Sequence, residues 1–245
     1  MRWISCSKGR AVNVLVIGMV LMAALSVLNG CHDRRHGVTT PFGDGVEQWG
    51  TKLPYDRWQF NVFYPKNLLA AMTFAIVQDG NIDQTIYRNL DPTEPSQRSV
   101  GKWSKIIGNF SANYNVGNAL PVSMHFCWDS VIDKQPYETI IWFGRETWQQ
   151  MTTRYAAWED PKKPFWRSDV IIGLAPGGVV RVWLSNQGDP AVLQRGARIS
   201  TVAGDKRRMC KAIRSKYSFD HEIPEGYDPF IKDFIKGKNY PYGEW

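Results

Sequence analysis

Apolar and polar positions alternate along much of this chain, and the alternation predicts strands. In residues 55–64, Trp58, Phe60 and Val62 are interleaved with Gln59, Asn61 and Phe63, a period of two that stops at Pro65. Residues 68–77 form an apolar run, with Thr73 its one polar member, before the turn Gln78-Asp79-Gly80-Asn81. A buried strand and a short helix fit that run equally, because periodicity does not separate them. Residues 85–90 predict a short strand ending at Asp91-Pro92, residues 93–99 a loop, and the Gly/Asn-rich residues 108–120, after 103–107, a long surface loop. Residues 122–132 and 137–143 predict a hairpin around Asp133-Lys134-Gln135-Pro136. Residues 145–154 have helical character, with Trp148, Met151 and Thr152 on one face, and Pro161 and Pro164 punctuate the loop beyond. The plainest hairpin joins 169–174 to 179–184 through Ala175-Pro176-Gly177-Gly178. Residues 192–202 predict one edge-like strand broken at Gly196. In residues 227–236, Phe230, Ile231, Phe234 and Ile235 recur at helical spacing behind Asp228-Pro229, a cap followed by a first-turn proline. The sum is an α+β domain, mainly antiparallel sheet with one or two packed helices.

The amino-terminal pattern is different. Arg2, Lys8 and Arg10 precede an apolar run from Ala11 interrupted only by Asn13, Gly18 and Ser26, the layout of a bacterial export signal. The run is also long enough for a plain transmembrane anchor. It ends, however, in Leu28-Asn29-Gly30-Cys31, which looks like the lipobox of bacterial lipoproteins. That resemblance implies cleavage before Cys31 and acylation of its thiol and new amino terminus. Each buried methylene adds about 0.8 kcal/mol, so several acyl chains together make a stable anchor. His32, not Asp, follows the cysteine, which points to the outer membrane and its periplasmic face rather than retention at the inner membrane. Residues 1–30 are thus expected to be the signal, 31–53 a tether, and 54–245 a single periplasmic domain.

Removal of the signal leaves 27 basic and 23 acidic residues, a net charge of +4 instead of the formal +7. Lys206-Arg207-Arg208, with Lys211 and Arg214, is the one basic cluster and reads as a solvated face, so nucleic acid is unsupported as a partner. Acidic proteins and anionic headgroups remain compatible with it. Cys6 leaves with the signal and Cys31 takes lipid. Cys127 and Cys210 are left as an even pair in an oxidising compartment, which favours one disulfide over two buried thiols.

Phe126-Cys127-Trp128-Asp129-Ser130, Asp133-Lys134, Tyr137-Glu138-Thr139, Gly173 to Gly178 and Arg181-Val182-Trp183-Leu184 carry a resemblance. Together they resemble an uncharacterised gammaproteobacterial lipoprotein domain, one of the families of unknown function often encoded near type VI secretion effectors. The similarity spans residues 54–213. It implies a periplasm-facing lipoprotein, with an immunity protein against an antibacterial phospholipase as the functional inference from that context.

Residue chemistry supports no enzyme. His125 and His221 have no partner at metal-ligand spacing, so no metal or other cofactor is expected. No Gly-x-Ser-x-Gly occurs, which removes the nucleophile elbow of a serine hydrolase. Asp129, Asp133 and Glu138 crowd one hairpin. They read as turn formers, with a glycosidase-like carboxylate pair as the competing assignment. A contact surface is the better expectation. Trp, Tyr and Arg dominate interface hot spots, and Arg154, Trp158, Lys162, Lys163, Trp166 and Arg167, with Trp103 in a neighbouring loop, form the candidate partner-binding region. The expected partners are the membrane, through the lipid, and a secreted toxin. The alternative is an accessory envelope lipoprotein that binds glycan or another envelope protein.

Overall fold

A computed structural model describes residues 52–65, 68–81, 83–90, 115–156, 160, 162–186 and 191–213. In chain order these form β1 (Trp58–Phe63), β2 (Ala70–Asp79), β3 (Gln84–Leu90), β4 (Val116–Gly117), β5 (Pro121–Ser130) and β6 (Gln135–Trp142). There follow α1 (Arg145–Thr152), β7 (Tyr155–Ala156), β8 (Pro164–Phe165), β9 (Asp169–Ala175), β10 (Val179–Ser185), β11 (Val192–Leu193) and β12 (Arg198–Ala203). One five-stranded sheet has the order β11-β10-β9-β1-β4 and a second β12-β6-β5-β2-β3, while β7 and β8 make a separate ribbon.

The two large sheets bury their apolar faces against each other. Phe60 and Val62 of β1, Val170, Ile172 and Leu174 of β9, and Val182 and Leu184 of β10 share one cluster with Met72 of β2, Met124 and Phe126 of β5 and Ile141 of β6. Phe60 meets Tyr87 of β3 edge-on across the sheets, with ring centroids 5.0 Å apart. Three tryptophans in that core are fully buried, and each indole N–H donates to an oxygen: Trp58 to Ala119, Trp148 to Pro121 and Trp128 to the Thr139 hydroxyl. Satisfied in this way, the rings add their large apolar area without an orphaned donor.

This architecture corrects the α+β expectation. The described residues are essentially all-β, and their one α-helix is eight residues long. No helical layer is needed, because each sheet's apolar face is covered by the other sheet. Pairing is not wholly antiparallel either, since β1 runs parallel to β9 over Gln59–Asp169 to Phe63–Gly173. The ambiguous run at 68–77 is a strand, with a register shift between Met72 and Phe74 in its pairing to β5. The expected edge strand at 192–202 is two strands in different sheets, and Val116–Gly117 in the expected long loop form β4. Lys52 and Leu53, expected in the tether, already belong to the sandwich: Lys52 bridges Ala119 and Leu53 is in the core. The signal, Cys31, the loop at 93–99 and the helix expected at 227–236 lie outside the described residues.

Candidate functional site: a groove at the open side of the sandwich

The break at Gly196 creates the site. β11 pairs with β10 only at Leu193–Trp183 and Val192–Leu184, and the chain then crosses to the other sheet to become β12. Gln194 fixes the crossing. It is buried, its Nε2 donates to the Gln150 side chain and the Val192 carbonyl, its Oε1 accepts from the Thr147 hydroxyl of α1, and its N–H donates to Val182. Glu146 of α1 lies against Gly196, where a side chain would collide with its carboxylate.

Beneath the crossing lies a groove of about 550 Å³. Val180 and Val182 of β10, Leu193 of β11, and Ala197 and Ile199 on the other side form an apolar floor, with Arg181 and Arg195 also lining it. Both arginines are exposed, and neither guanidinium has a hydrogen bond or ion pair among the described residues. No carboxylate lines the groove among the described residues. Arginine beside desolvated apolar surface is the composition of protein-contact hot spots.

One end of the groove is closed by the β9–β10 tip. Gly177 and Gly178 have φ of 78° and 76°, and a Cβ at Gly178 would stand 2.9 Å from the Tyr137 ring. Asp133 ties this tip to the β5–β6 turn of the other sheet, accepting from the Gly177 N–H at 2.7 Å, the Tyr137 hydroxyl at 2.6 Å and the Ser130 hydroxyl at 2.7 Å. Burial and the Asp133 carboxylate together push the Tyr137 hydroxyl up from its ordinary pKa. Gly178→Ala is expected to lower stability by roughly 1–3 kcal/mol through left-handed strain and the collision with Tyr137. A urea midpoint equal to wild type would contradict the tip geometry.

A second polar cluster sits on the outer face of the β12-β6-β5-β2-β3 sheet. After β12 the chain turns at Gly204 and folds back through short 3₁₀ turns, Gly204–Lys206 and Met209–Ala212. Cys210 forms a disulfide with Cys127 of β5, and Phe74, Ile76, Met209 and Ile213 pack around it. Glu138 Oε2 accepts from the Arg208 and Cys210 amides at 2.6 and 3.0 Å, while Oε1 lies 2.8 Å from His125 Nε2. Burial pushes the Glu138 carboxyl up, but the two amides and His125 outweigh it and hold the carboxyl below its usual range.

The carboxylates read from sequence are therefore in different networks, Asp133 in the tip and Glu138 under the returning chain, while Asp129 is buried in β5. Another buried carboxylate, Asp169, is pushed up by burial, against which hydrogen bonds from Gln59 and Ser168 act; it does not line the groove. No group of three or more His, Cys, Asp or Glu residues placed to hold a metal ion occurs among the described residues.

The expected contact region is partly assembled. Arg154, Lys162 and Lys163 are exposed around the β7–β8 ribbon, where Tyr155 and Phe165 stack and the Arg167 guanidinium lies 4.9 Å from the Tyr155 ring centre. Trp166 is half-buried and packs against Tyr55, with centroids 5.8 Å apart. Trp158 and Trp103 lie outside the described residues. Sequence reasoning did not single out Arg181 and Arg195 as a pair. The one signal for them was Gly196, the interruption where the strand changes sheets.

The fold and site define a disulfide-tied β-sandwich with a basic-rimmed, apolar groove at its open side. The chain belongs to a family described as protein of unknown function (DUF2931), which matches residues 43–243. No curated protein and no solved structure matches it.

Proposed function

We propose that this is a lipid-anchored binding protein on the periplasmic face of the outer membrane, an immunity protein that neutralises an antibacterial type VI secretion effector, such as a phospholipase, by occlusion. The groove carries the reading: an apolar floor, two arginines without partners among the described residues, and a crossing held by buried hydrogen bonds. A rigid concave surface with exposed arginines is suited to a protein partner, because few side chains need ordering on contact. The signal layout and lipobox at Leu28-Asn29-Gly30-Cys31 support the location, where a toxin delivered to the periplasm would be met.

The test is a rescue. A toxin candidate encoded beside this gene is exported to the periplasm of a sensitive host, with and without the lipoprotein. Wild type is expected to restore growth. Cys31→Ala is expected to lose protection in cells while still forming the complex with purified toxin. Absence of both rescue and complex would contradict the reading.

A further inference from the structure

We propose that the groove takes an extended, acidic segment of the partner protein as an added β-strand along the free edge of β12. The inference rests on the binding-protein reading above and names the chemistry of its partner. β12 ends its sheet: all six residues, Arg198–Ala203, pair with β6 in continuous register, and no strand pairs with its other side among the described residues. Such an edge presents a row of N–H and C=O groups for a further strand. Natural edges are usually blunted by charged side chains, proline or a bulge; β12 carries one charge, Arg198 at its first position, and its remaining residues 199–203 hold neither charge nor proline and show no register shift.

Across the groove, a second edge is open. β10 pairs with β9 along its whole length, whereas on its other side β11 reaches only Trp183 and Leu184, and the Gln194 N–H takes the Val182 carbonyl. The edge at residues 179–181 is left without a strand among the described residues. An incoming strand thus has the β12 edge at residues 199–203 to pair with and an apolar floor for every second side chain. Charge selects its composition. Arg181 and Arg195 line the same groove, both exposed, and among the described residues neither has a partner and no carboxylate lines the groove to neutralise them. Acidic residues on the incoming segment would complete both pairs, which gives register and orientation as well as attraction.

The experiment pans the full lipoprotein, in detergent, against a phage-displayed library of random linear peptides. Enriched peptides are expected to alternate acidic with β-branched or aromatic residues. Their affinity should fall roughly tenfold or more in the Arg181→Glu/Arg195→Glu double variant, and they should slow hydrogen exchange of β12 amides that exchange rapidly in the free protein. No enrichment, enrichment of non-acidic sequences, unchanged affinity in the double variant, or β12 amides already protected in the free protein would overturn the proposal. The same double variant in the rescue assay separates the two claims. If wild type and variant both rescue, strand addition fails and the inhibitor reading stands. If wild type does not rescue while acidic peptides still bind β12, the inhibitor reading fails and the strand-addition surface stands.

Discussion

Cys127→Ala/Cys210→Ala is expected to unfold at a much lower urea concentration than wild type, with a stability loss of about 4–5 kcal/mol. The two cysteines are 83 residues apart, and in the chain-entropy account a cross-link of that span removes much of the unfolded chain's freedom. The bond also fastens the chain after β12 to the middle of β5, where Phe74 and Ile76 lie under Met209 and Ile213. Losing it therefore releases the segment that follows the groove-lining strand. Reduced wild type should match the double variant in a denaturation curve with dithiothreitol. A loss under about 1 kcal/mol, or a reduced wild type indistinguishable from the oxidised one, would show that the bond contributes little.

The second large effect is at Glu138. Its carboxylate accepts the Arg208 and Cys210 amides and faces His125, and Glu138 is buried. Glu138→Ala leaves the amides without their acceptor and is expected to cost about 3 kcal/mol. The pH dependence has a definite sign. The folded carboxyl is held below its ordinary pKa, so its contribution is complete above that ordinary value and disappears as pH falls through the lowered one. Wild-type stability should therefore drop on the acid side more steeply than that of Glu138→Gln, which has no group to titrate. Parallel acid limbs in urea titrations of the two proteins would contradict this assignment.

How much was readable in advance follows from the range of the interactions. The strands 84–90, 135–142, 169–175 and 179–185, and the Pro-Gly-Gly tip between the last two, were legible because alternation and turn residues are local signals. The run at 68–77 was not, for a physical reason. Its inner face packs in the sandwich core and Phe74, on its outer face, is covered around the disulfide, so no polar face exists to betray the period. The two-sheet arrangement was hidden as well. β1 pairs with a strand about a hundred residues away in parallel register, and nothing near Trp58 announces Val170. α1 was legible from Trp148 and Met151, short length included, whereas the all-β class depends on two sheets covering each other, which local pattern does not record. The groove was the least legible feature. Arg181 and Arg195 line one groove because β11 pairs back onto β10 just before the chain changes sheets, a long-range pairing, whereas the aromatic and basic cluster from Arg154 to Arg167 is visible as composition and turns Trp166 against Tyr55.

The most direct test of the proposed groove interface is hydrogen exchange on the full-length protein, alone and with a purified toxin candidate encoded beside its gene. Slowed exchange is expected in residues 179–182 and 193–203, with the β7–β8 ribbon changing less. A complex that protects the ribbon around Tyr155 and Phe165 and leaves the groove unchanged, or no complex at all, would contradict it.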